Sequence, residues 1–433
     1  MPTDANSLSQ SEDPNDPFLL LLRQRAIDSR QKAGIPLLLD TVNDNSNGCN
    51  GPQWPPRLDA SPTAEQFAQI IERHVPVLIH GCMQGRTALA QWRDSRYLID
   101  RMGGKDNRVT VALTPNGRAD DLVTHPETGK TVFALPCEDQ MSFSELFEQF
   151  ARQNETSTSY TGWIAYLQSQ NSNLSVREYG DLSPLLSDLC ISHEQTDSLS
   201  KEQGSTGGTS SGRGRSDIAW ATEAIGYPPE ATNIWIGTSA SRTSMHRDHY
   251  ENLFTVVRGW KEFTVFPPWE GCFLCDDVEV PVYRYKASSP SNFQLEKDSD
   301  TPNTRWIAID PTQPKHSSRN RPYMHRDLNT DSDVASSLES SPSPSSVAKY
   351  GYALPPLRIR VHEGETLYLP SGWFHHVSQQ QDSQIITDHS TGHQKDLGVC
   401  LCLNWWYEIS DDMALRLADM DLEAGVSDLD DDS

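Results

Sequence analysis

The chain has 433 residues and a formal net charge of −24 at pH 7. An acidic excess of this size disfavours nucleic acid and anionic membranes as main partners, and it favours a basic peptide or protein. No stretch approaches the roughly 18 consecutive apolar residues of a transmembrane helix. Because the N-terminus is polar and acidic, unlike a signal or transit peptide, we expect a cytoplasmic protein, with the nucleus as a second location.

The eight cysteines fit a reducing compartment. Cys272 and Cys275 form a CxxC pattern, and Cys400 and Cys402 form a CxC pattern, so four thiolates could hold zinc. However, Cys400 and Cys402 lie in an apolar strand, where their side chains would point into the core. We therefore favour buried free thiols over a zinc site.

The first half of the chain alternates between helix and strand patterns. Residues 1–16 are predicted to be disordered, and residues 17–33 to form a helix. Further helices are expected over 61–74, 88–103 and 142–153, the last with Ser142 and Glu145 at capping-box spacing. Strands are expected over 75–81, 108–115 and 160–170. Residues 17–216 are therefore interpreted as an N-terminal region that packs on a core.

From residue 217 to 408 the pattern is strand throughout. The segments are "NIWIGTS", "HYENLFTVV", "KEFTVFP", "LRIRVHEGETLYLP", "WFHHVSQ" and "GVCLCLNWWYEI". Short strands separated by turn signals predict a β-sandwich or barrel. Residues 409–433 are predicted to form a terminal helix, a candidate for contacts in a homodimer, followed by an acidic tail.

Three polar stretches interrupt this scheme. They cover residues 193–215, 286–349 and 380–396, and the first two are rich in serine with glycine or proline. Such composition is typical of surface insertions or disordered loops.

A cluster of polar residues stands out in "TSMHRDHYENLF". If this segment is one strand, alternate residues share a face, so His246, Asp248 and Asn252 point to the same side. A His-x-Asp pair supplies two of the three ligands of the 2-His-1-carboxylate facial triad used by ferrous iron enzymes. The signal is weak alone, because His-x-acid also begins at His125, His249 and His325.

A third ligand is offered by "GETLYLPSGWFHHVSQ". Adjacent residues of a strand face opposite ways, so only one of His375 and His376 can point inward. Lys261, on the inner face of the next strand, needs an anion, and a dicarboxylate near the metal would provide one. Thr243, Asn252 and Asn404 could add hydrogen bonds.

These motifs resemble those of the JmjC-domain 2-oxoglutarate oxygenases. The resemblance rests on "TSMHRDHYENLF", a lysine fifteen residues after the histidine, "LYLPSGWFHH" and "NWWYEI". It extends upstream through "PVLIHG", "VTVALTPNGRADD" and "AYLQSQNSNL", and so covers nearly the whole core. It implies a mainly β fold with flanking helices, namely a double-stranded β-helix or cupin-type jelly roll.

The resemblance also implies a role for each matching residue. Fe(II) would be held by His246, Asp248 and His375, since the family uses the first histidine of such a pair. Lys261 would bind the distal carboxylate of 2-oxoglutarate, assisted by Thr243 and Tyr166. Asn252 and Asn404 would orient the cosubstrate or the metal shell, and Trp406 would wall the substrate side.

The likeness is greatest to a small group within the family that hydroxylates a lysine side chain at C3 in a developmentally regulated GTPase, with O2 as the second cosubstrate. A lysine demethylase, a histone-tail peptidase and an inactive scaffold are the alternatives. We find no separate nucleophile or base for a peptidase. "YMHRDLNTDSD" imitates a kinase catalytic loop, but Ser332 stands where asparagine should bind magnesium.

Overall fold

The computed structural model describes residues 16–37, 54–103, 107–155, 162–169, 172–191, 216–275, 278–289, 292–324, 349–387 and 392–424. The predicted disorder of residues 1–15, the insertion 193–215, the kinase-like motif with His325 and Asp327, and the acidic tail lie outside these ranges. Within them, no helix is long and apolar enough to cross a membrane.

Helices flank a predominantly β structure in the described residues. The α-helices are α1 (Pro17–Lys32), α2 (Ala64–Arg73), α3 (Ala88–Gln91), α4 (Ser95–Met102), α5 (Phe143–Glu155), α6 (Ser183–Leu189), α7 (Ala219–Ile225), α8 (Lys349–Tyr352) and α9 (Asp411–Ala424). Short 3₁₀ helices span Arg177–Tyr179, Pro268–Phe273 and Arg321–Tyr323.

The strands are numbered in chain order. They are β1 (Arg57–Leu58), β2 (Val77–His80), β3 (Val109–Thr114), β4 (Arg118–Ala119), β5 (Asp121–Thr124), β6 (Thr131–Leu135), β7 (Cys137–Met141), β8 (Ile164–Tyr166), β9 (Ala231–Gly237), β10 (Arg242–His246), β11 (Glu251–Arg258), β12 (Trp260–Phe266), β13 (Val278–Val280), β14 (Val282–Ser289), β15 (Asn292–Lys297), β16 (Thr304–Trp306), β17 (Leu357–His362), β18 (Glu365–Leu369), β19 (Phe374–Gln380), β20 (Ile385–Thr387), β21 (Gln394–Asp396) and β22 (Cys400–Tyr407).

Two large sheets form the core. The six-stranded sheet has the order β1-β2-β18-β11-β22-β9, and the five-stranded sheet has the order β17-β12-β19-β10-β4. One apolar cluster joins residues from both sheets, including Phe254 of β11, Phe263 of β12 and Val377 of β19. The sheets therefore face each other across this cluster, as the predicted jelly roll requires.

Alternation along β22 separates the inside of the sandwich from the outside. Cys400 and Cys402 belong to the cluster between the sheets, whereas Leu401, Leu403 and Trp405 pack outward in the cluster that contains α2, α4 and α5. Helices thus cover the outer face of the six-stranded sheet. Cys272 and Cys275 belong to a third cluster, beyond the five-stranded sheet, so the four thiols are not gathered at one point.

Several sequence expectations differ from the structure. Residues 88–103 form two helices, because Asp94 interrupts them and caps α4 by accepting a hydrogen bond from the backbone N–H of Arg96 at 2.9 Å. The stretch 380–396 includes the β20–β21 hairpin. It is anchored by Asp382, which makes a bidentate ion pair with the buried Arg258, with both N–O distances 2.8 Å.

The expected polar insertion 286–349 is also partly regular. Strand β14 runs through its start and pairs with both β15 and β6. Residues 307–309 are buried in the cluster beyond the five-stranded sheet. Arg319 then binds the buried Asp121 carboxylate at 2.6 Å. Composition alone did not indicate this packing, because the short apolar run 306–309 lies within an otherwise polar stretch.

His74 ends α2 in the left-handed conformation, with φ of 53°. Its ring is buried, and burial lowers its pKa to about 4. In the unfolded chain this pKa returns to the usual 6.5. The folded state therefore resists protonation of His74 more than the unfolded state does. As a result, the unfolding free energy has its full value above pH 6.5 and decreases as the pH falls towards 4.

Asparagine tolerates the left-handed backbone conformation of position 74. We therefore expect the unfolding free energy of the His74→Asn variant to depend less on pH. Between pH 7 and pH 5 the wild-type protein should lose about 2 kcal/mol more unfolding free energy than the variant. Urea unfolding at the two pH values measures the difference. Parallel pH profiles for the two proteins would show that His74 does not titrate in this way.

Candidate metal centre

His246 is the last residue of β10, and a β-bulge sets the direction of its side chain. Thr243 pairs with Val377 and His246 pairs with His375, so β10 uses three residue steps where β19 uses two. The extra residue returns His246 to the face that Thr243 occupies. Without the bulge, strict alternation would turn His246 to the outside of the sandwich.

Asp248 lies in the short connection between β10 and β11 and not within a strand. The expectation that residues 246–254 form one strand is therefore wrong: β10 belongs to the five-stranded sheet and β11 to the six-stranded sheet. His246 and Asn252 nevertheless line the same pocket, because the two sheets face each other. The inference that these side chains converge holds, but for a different geometric reason.

His375 lies on β19 directly opposite His246, and the two imidazole ring centres are 4.1 Å apart. His376, the next residue, does not line the pocket. Its ring is buried elsewhere, without a hydrogen-bond partner for either nitrogen among the described residues. Alternation alone did not decide between His375 and His376. The pairing of β10 with β19 decides it, because it places His375 opposite His246.

Backbone carbonyls hold both imidazoles in one orientation. The Nδ1 atom of His246 lies 2.8 Å from the Ser244 carbonyl oxygen, and that of His375 lies 2.9 Å from the Trp373 carbonyl oxygen. A protonated Nδ1 donates in this geometry, which leaves each Nε2 with a free lone pair. This arrangement is typical of metal-binding histidines.

The carboxylate of Asp248 lies between the two Nε2 atoms. Its oxygens are 3.7 Å from His246 Nε2 and 3.6 Å from His375 Nε2, and one ligand atom from each residue lies within 4.8 Å of the others. Burial, followed by the neighbouring His246, lowers the pKa of His375 to about 4, so its ring is neutral at pH 7. Two imidazoles and one carboxylate can hold a divalent metal ion on one side.

Lys261 points into the same pocket from β12. Its ammonium is buried and donates to the hydroxyl of Tyr166 at 2.8 Å. Burial raises the pKa of Tyr166, so that partner is a neutral phenol. In the described part of the chain no carboxylate lies within ion-pair distance of Lys261, which leaves a buried cation able to receive an anion.

Two asparagines, Asn252 and Asn404, form part of the polar lining of the pocket. The Nδ2 group of Asn404 donates to Asn252 Oδ1 at 3.4 Å. The Nε1 group of Trp235 donates to Asn404 Oδ1 at 2.8 Å, which fixes the amide so that its NH2 group faces Asn252. Thr243 completes the polar lining.

Trp406 forms an aromatic wall with Tyr250. The two rings are stacked, with centres 5.1 Å apart and planes inclined by 6°. The indole Nε1 of Trp406 is buried and has no hydrogen-bond partner in the ranges described above. Trp406 therefore gives this side of the pocket an apolar ring, while its Nε1 atom is enclosed by protein.

Sequence reasoning missed the part played by Trp235. Its position in "NIWIG" carries a signal, since Asn233 and Trp235 alternate with the outward-facing Ile234 and Ile236. The pattern shows that Trp235 faces the other way. It does not show that the indole reaches Asn404, which is 169 positions away in the chain.

Two facing sheets with two histidines and a carboxylate gathered between them define a cupin-type protein with a candidate metal centre. The chain belongs to the cupin-like domain family, whose model matches residues 62–413. The resemblance to the JmjC oxygenases within that fold is confirmed by the relatives described next.

Three similar proteins cover most of the chain. The human bifunctional peptidase and (3S)-lysyl hydroxylase JMJD7 is 28% identical over 83% of this chain and 85% of its own length. The lysine-specific demethylase JMJ32 of Arabidopsis thaliana is 29% identical over 82% of each chain. The JmjC domain-containing protein E of Dictyostelium discoideum is 29% identical over 82% of this chain and 83% of its own.

Proposed function

We propose that the protein is an Fe(II)- and 2-oxoglutarate-dependent oxygenase that hydroxylates a lysine side chain of a protein substrate at C3. The observation that carries the proposal is the presence, in one pocket, of the three triad side chains and the buried Lys261, which has no carboxylate partner among the described residues. A metal ion suits the triad side chains, and a diacid suits the buried ammonium of Lys261. The printed name of the human relative supports the lysyl hydroxylase assignment.

In this proposal His246, Asp248 and His375 are the metal ligands. Ferrous iron with 2-oxoglutarate and O2 supplies the oxidising power needed to hydroxylate an unactivated C–H bond. The protein fixes the geometry: two carbonyl-bonded imidazoles present Nε2, and the Asp248 carboxylate lies between them. The three side chains line the pocket, where the cosubstrates would bind.

Lys261 would bind the carboxylate of 2-oxoglutarate that is remote from the metal. Tyr166 would hold the ammonium in place, and Thr243 would add a hydroxyl donor. The Asn252 and Asn404 amides would orient the other end of the cosubstrate. The apolar side chains between them, Phe254, Phe263 and Val377, line the pocket and would exclude water.

Trp406 and Tyr250 would form the substrate side. Their stacked rings offer a surface along which the apolar stem of a lysine can lie. A developmentally regulated GTPase is the proposed substrate class. The acidic net charge is compatible with a lysine-bearing partner. A homodimer through α9, where Leu415 is exposed, stays a prediction.

Lysine demethylation is the second candidate, favoured by the name of the Arabidopsis relative at nearly equal identity. Both reactions use the same metal centre, so the products must separate them. We expect an unmodified lysine substrate, incubated with enzyme, Fe(II), 2-oxoglutarate and O2, to gain about 16 Da with no formaldehyde released, as insertion of one oxygen atom at carbon requires. Tandem mass spectrometry locates the oxygen on C3.

The matched substrate is the same peptide with N-methylated lysine. Loss of about 14 Da together with formaldehyde, and no oxygen gained by the unmodified peptide, would contradict the hydroxylase assignment and favour demethylation. Cleavage of the peptide backbone would indicate the peptidase alternative.

A further inference from the structure

The C-terminal helix α9 contacts the connection that carries Asp248 and the turn that precedes His375 of β19. The first contact joins Arg247, which lies between His246 and Asp248 in sequence, to Asp421 of α9. The Arg247 NH1 group donates to Asp421 Oδ1 at 2.8 Å. This ion pair connects positions that are 174 residues apart.

The second contact lies in the turn between β18 and β19, three residues before His375. Gly372 in this turn has φ of +73°, and a Cβ atom there would lie only 2.7 Å from Leu417 Cδ2 of α9. The backbone N–H of Gly372 donates to the carbonyl oxygen of Asp248 at 2.8 Å. The two loops are therefore bonded to each other, and α9 covers them both.

The ion pair is shielded from water. The Arg247 side chain is 8% exposed and that of Asp421 is 17% exposed. The Arg247 guanidinium also lies over the Phe374 ring, 5.2 Å from its centre, and Phe374 is next to His375. Since a shielded ion pair is screened less than a surface pair, loss of Asp421 would leave a poorly solvated charge in the Asp248 loop.

We propose that α9 is a positioning element of the metal centre, and that the Arg247–Asp421 ion pair fixes the Asp248 loop so that the carboxylate faces the two imidazoles. Arg247 and Asp421 are positioning residues and contact no ligand themselves. This inference rests on the proposed metal-binding role of His246, Asp248 and His375. It adds a requirement beyond the three triad side chains, namely the contact of α9 with the Asp248 loop.

The test is a titration of the full-length protein with Co(II), followed by its visible absorption, which needs no substrate or turnover. We expect Asp421→Asn to raise the Co(II) Kd about tenfold, the lower end of the effects of residues that orient metal ligands. Asp419→Asn is the matched control: it removes the same charge from an exposed position of the same helix, and its Kd should equal that of wild type.

Three further variants and a thermal-unfolding measurement separate positioning from general stability. Arg247→Gln should weaken Co(II) binding as Asp421→Asn does, and the double variant should be no worse than either single variant, because all three lose the same ion pair. Asp421→Glu keeps a carboxylate at this position and should retain most of the wild-type Co(II) affinity. It also tests the inference if Asp421→Asn does not fold. Thermal unfolding curves identify a temperature at which each variant is fully folded, and the titrations are done at that temperature.

A Co(II) Kd for folded Asp421→Asn within twofold of wild type would overturn the inference, even if that variant unfolds at a lower temperature. If the wild-type protein binds no Co(II) at the triad, the proposed metal centre itself is refuted. The two failures are therefore distinguishable.

Discussion

Replacing His375 by leucine is expected to abolish oxygenase turnover and to weaken metal binding by at least about 100-fold. The variant leaves one imidazole and one carboxylate, and losing a ligand should cost at least as much as losing a residue that only orients one. Anaerobic Fe(II) binding and 2-oxoglutarate consumption measure the two effects. The loss of turnover should persist at saturating iron, because the geometry of the site is altered.

His376→Leu is the matched control. It makes the same chemical change at the adjacent buried position, on the other face of β19, and it removes two ring nitrogens that lack hydrogen-bond partners among the described residues. Removing unsatisfied buried polar atoms is close to neutral for stability. Normal turnover in His375→Leu, or loss of metal binding in His376→Leu alone, would refute the assignment of the ligands.

Replacing Lys261 by methionine is expected to raise the KM for 2-oxoglutarate by about 100-fold or more. A buried ion pair that loses one partner costs about 3–5 kcal/mol, and each 1.4 kcal/mol is a factor of ten in affinity. The Fe(II) affinity without 2-oxoglutarate should change little, since Lys261 is not a candidate ligand. Initial rates over a range of 2-oxoglutarate concentrations measure the effect.

Lys286→Met is the control for charge, because Lys286 is exposed and pairs with Glu296 on the β14–β15 hairpin. Its KM should match that of wild type. If Lys261→Met keeps a normal KM for 2-oxoglutarate, Lys261 does not bind the diacid, and its burial would need another explanation.

Sequence patterns predicted the general fold well, because the strands of the core carry their signals locally. Alternation in β22 and the apolar runs of β11 and β18 are readable from a few residues. The capping box of α5 was equally local, and the Ser142 and Glu145 side chains make the expected hydrogen bonds. Residues 307–309 were missed because their burial depends on contacts with distant parts of the chain.

The candidate site was predicted from motif spacing, but part of the geometric reasoning was wrong. Strict alternation from His246 to Phe254 required one continuous strand, whereas the chain crosses from one sheet to the other at Asp248. The bulge in β10 that aims His246 inward has no sequence signature here. The Arg247–Asp421 contact joins residues 174 positions apart, and no local pattern encodes it.

The most direct test of the account is the visible absorption of the anaerobic protein on addition of Fe(II) and 2-oxoglutarate. We predict a charge-transfer band that needs both additions, saturates at one iron per chain, disappears in His375→Leu and persists in His376→Leu. If no band forms in the wild-type protein, or if the same band forms in His375→Leu, then His246, Asp248 and His375 do not form the iron site.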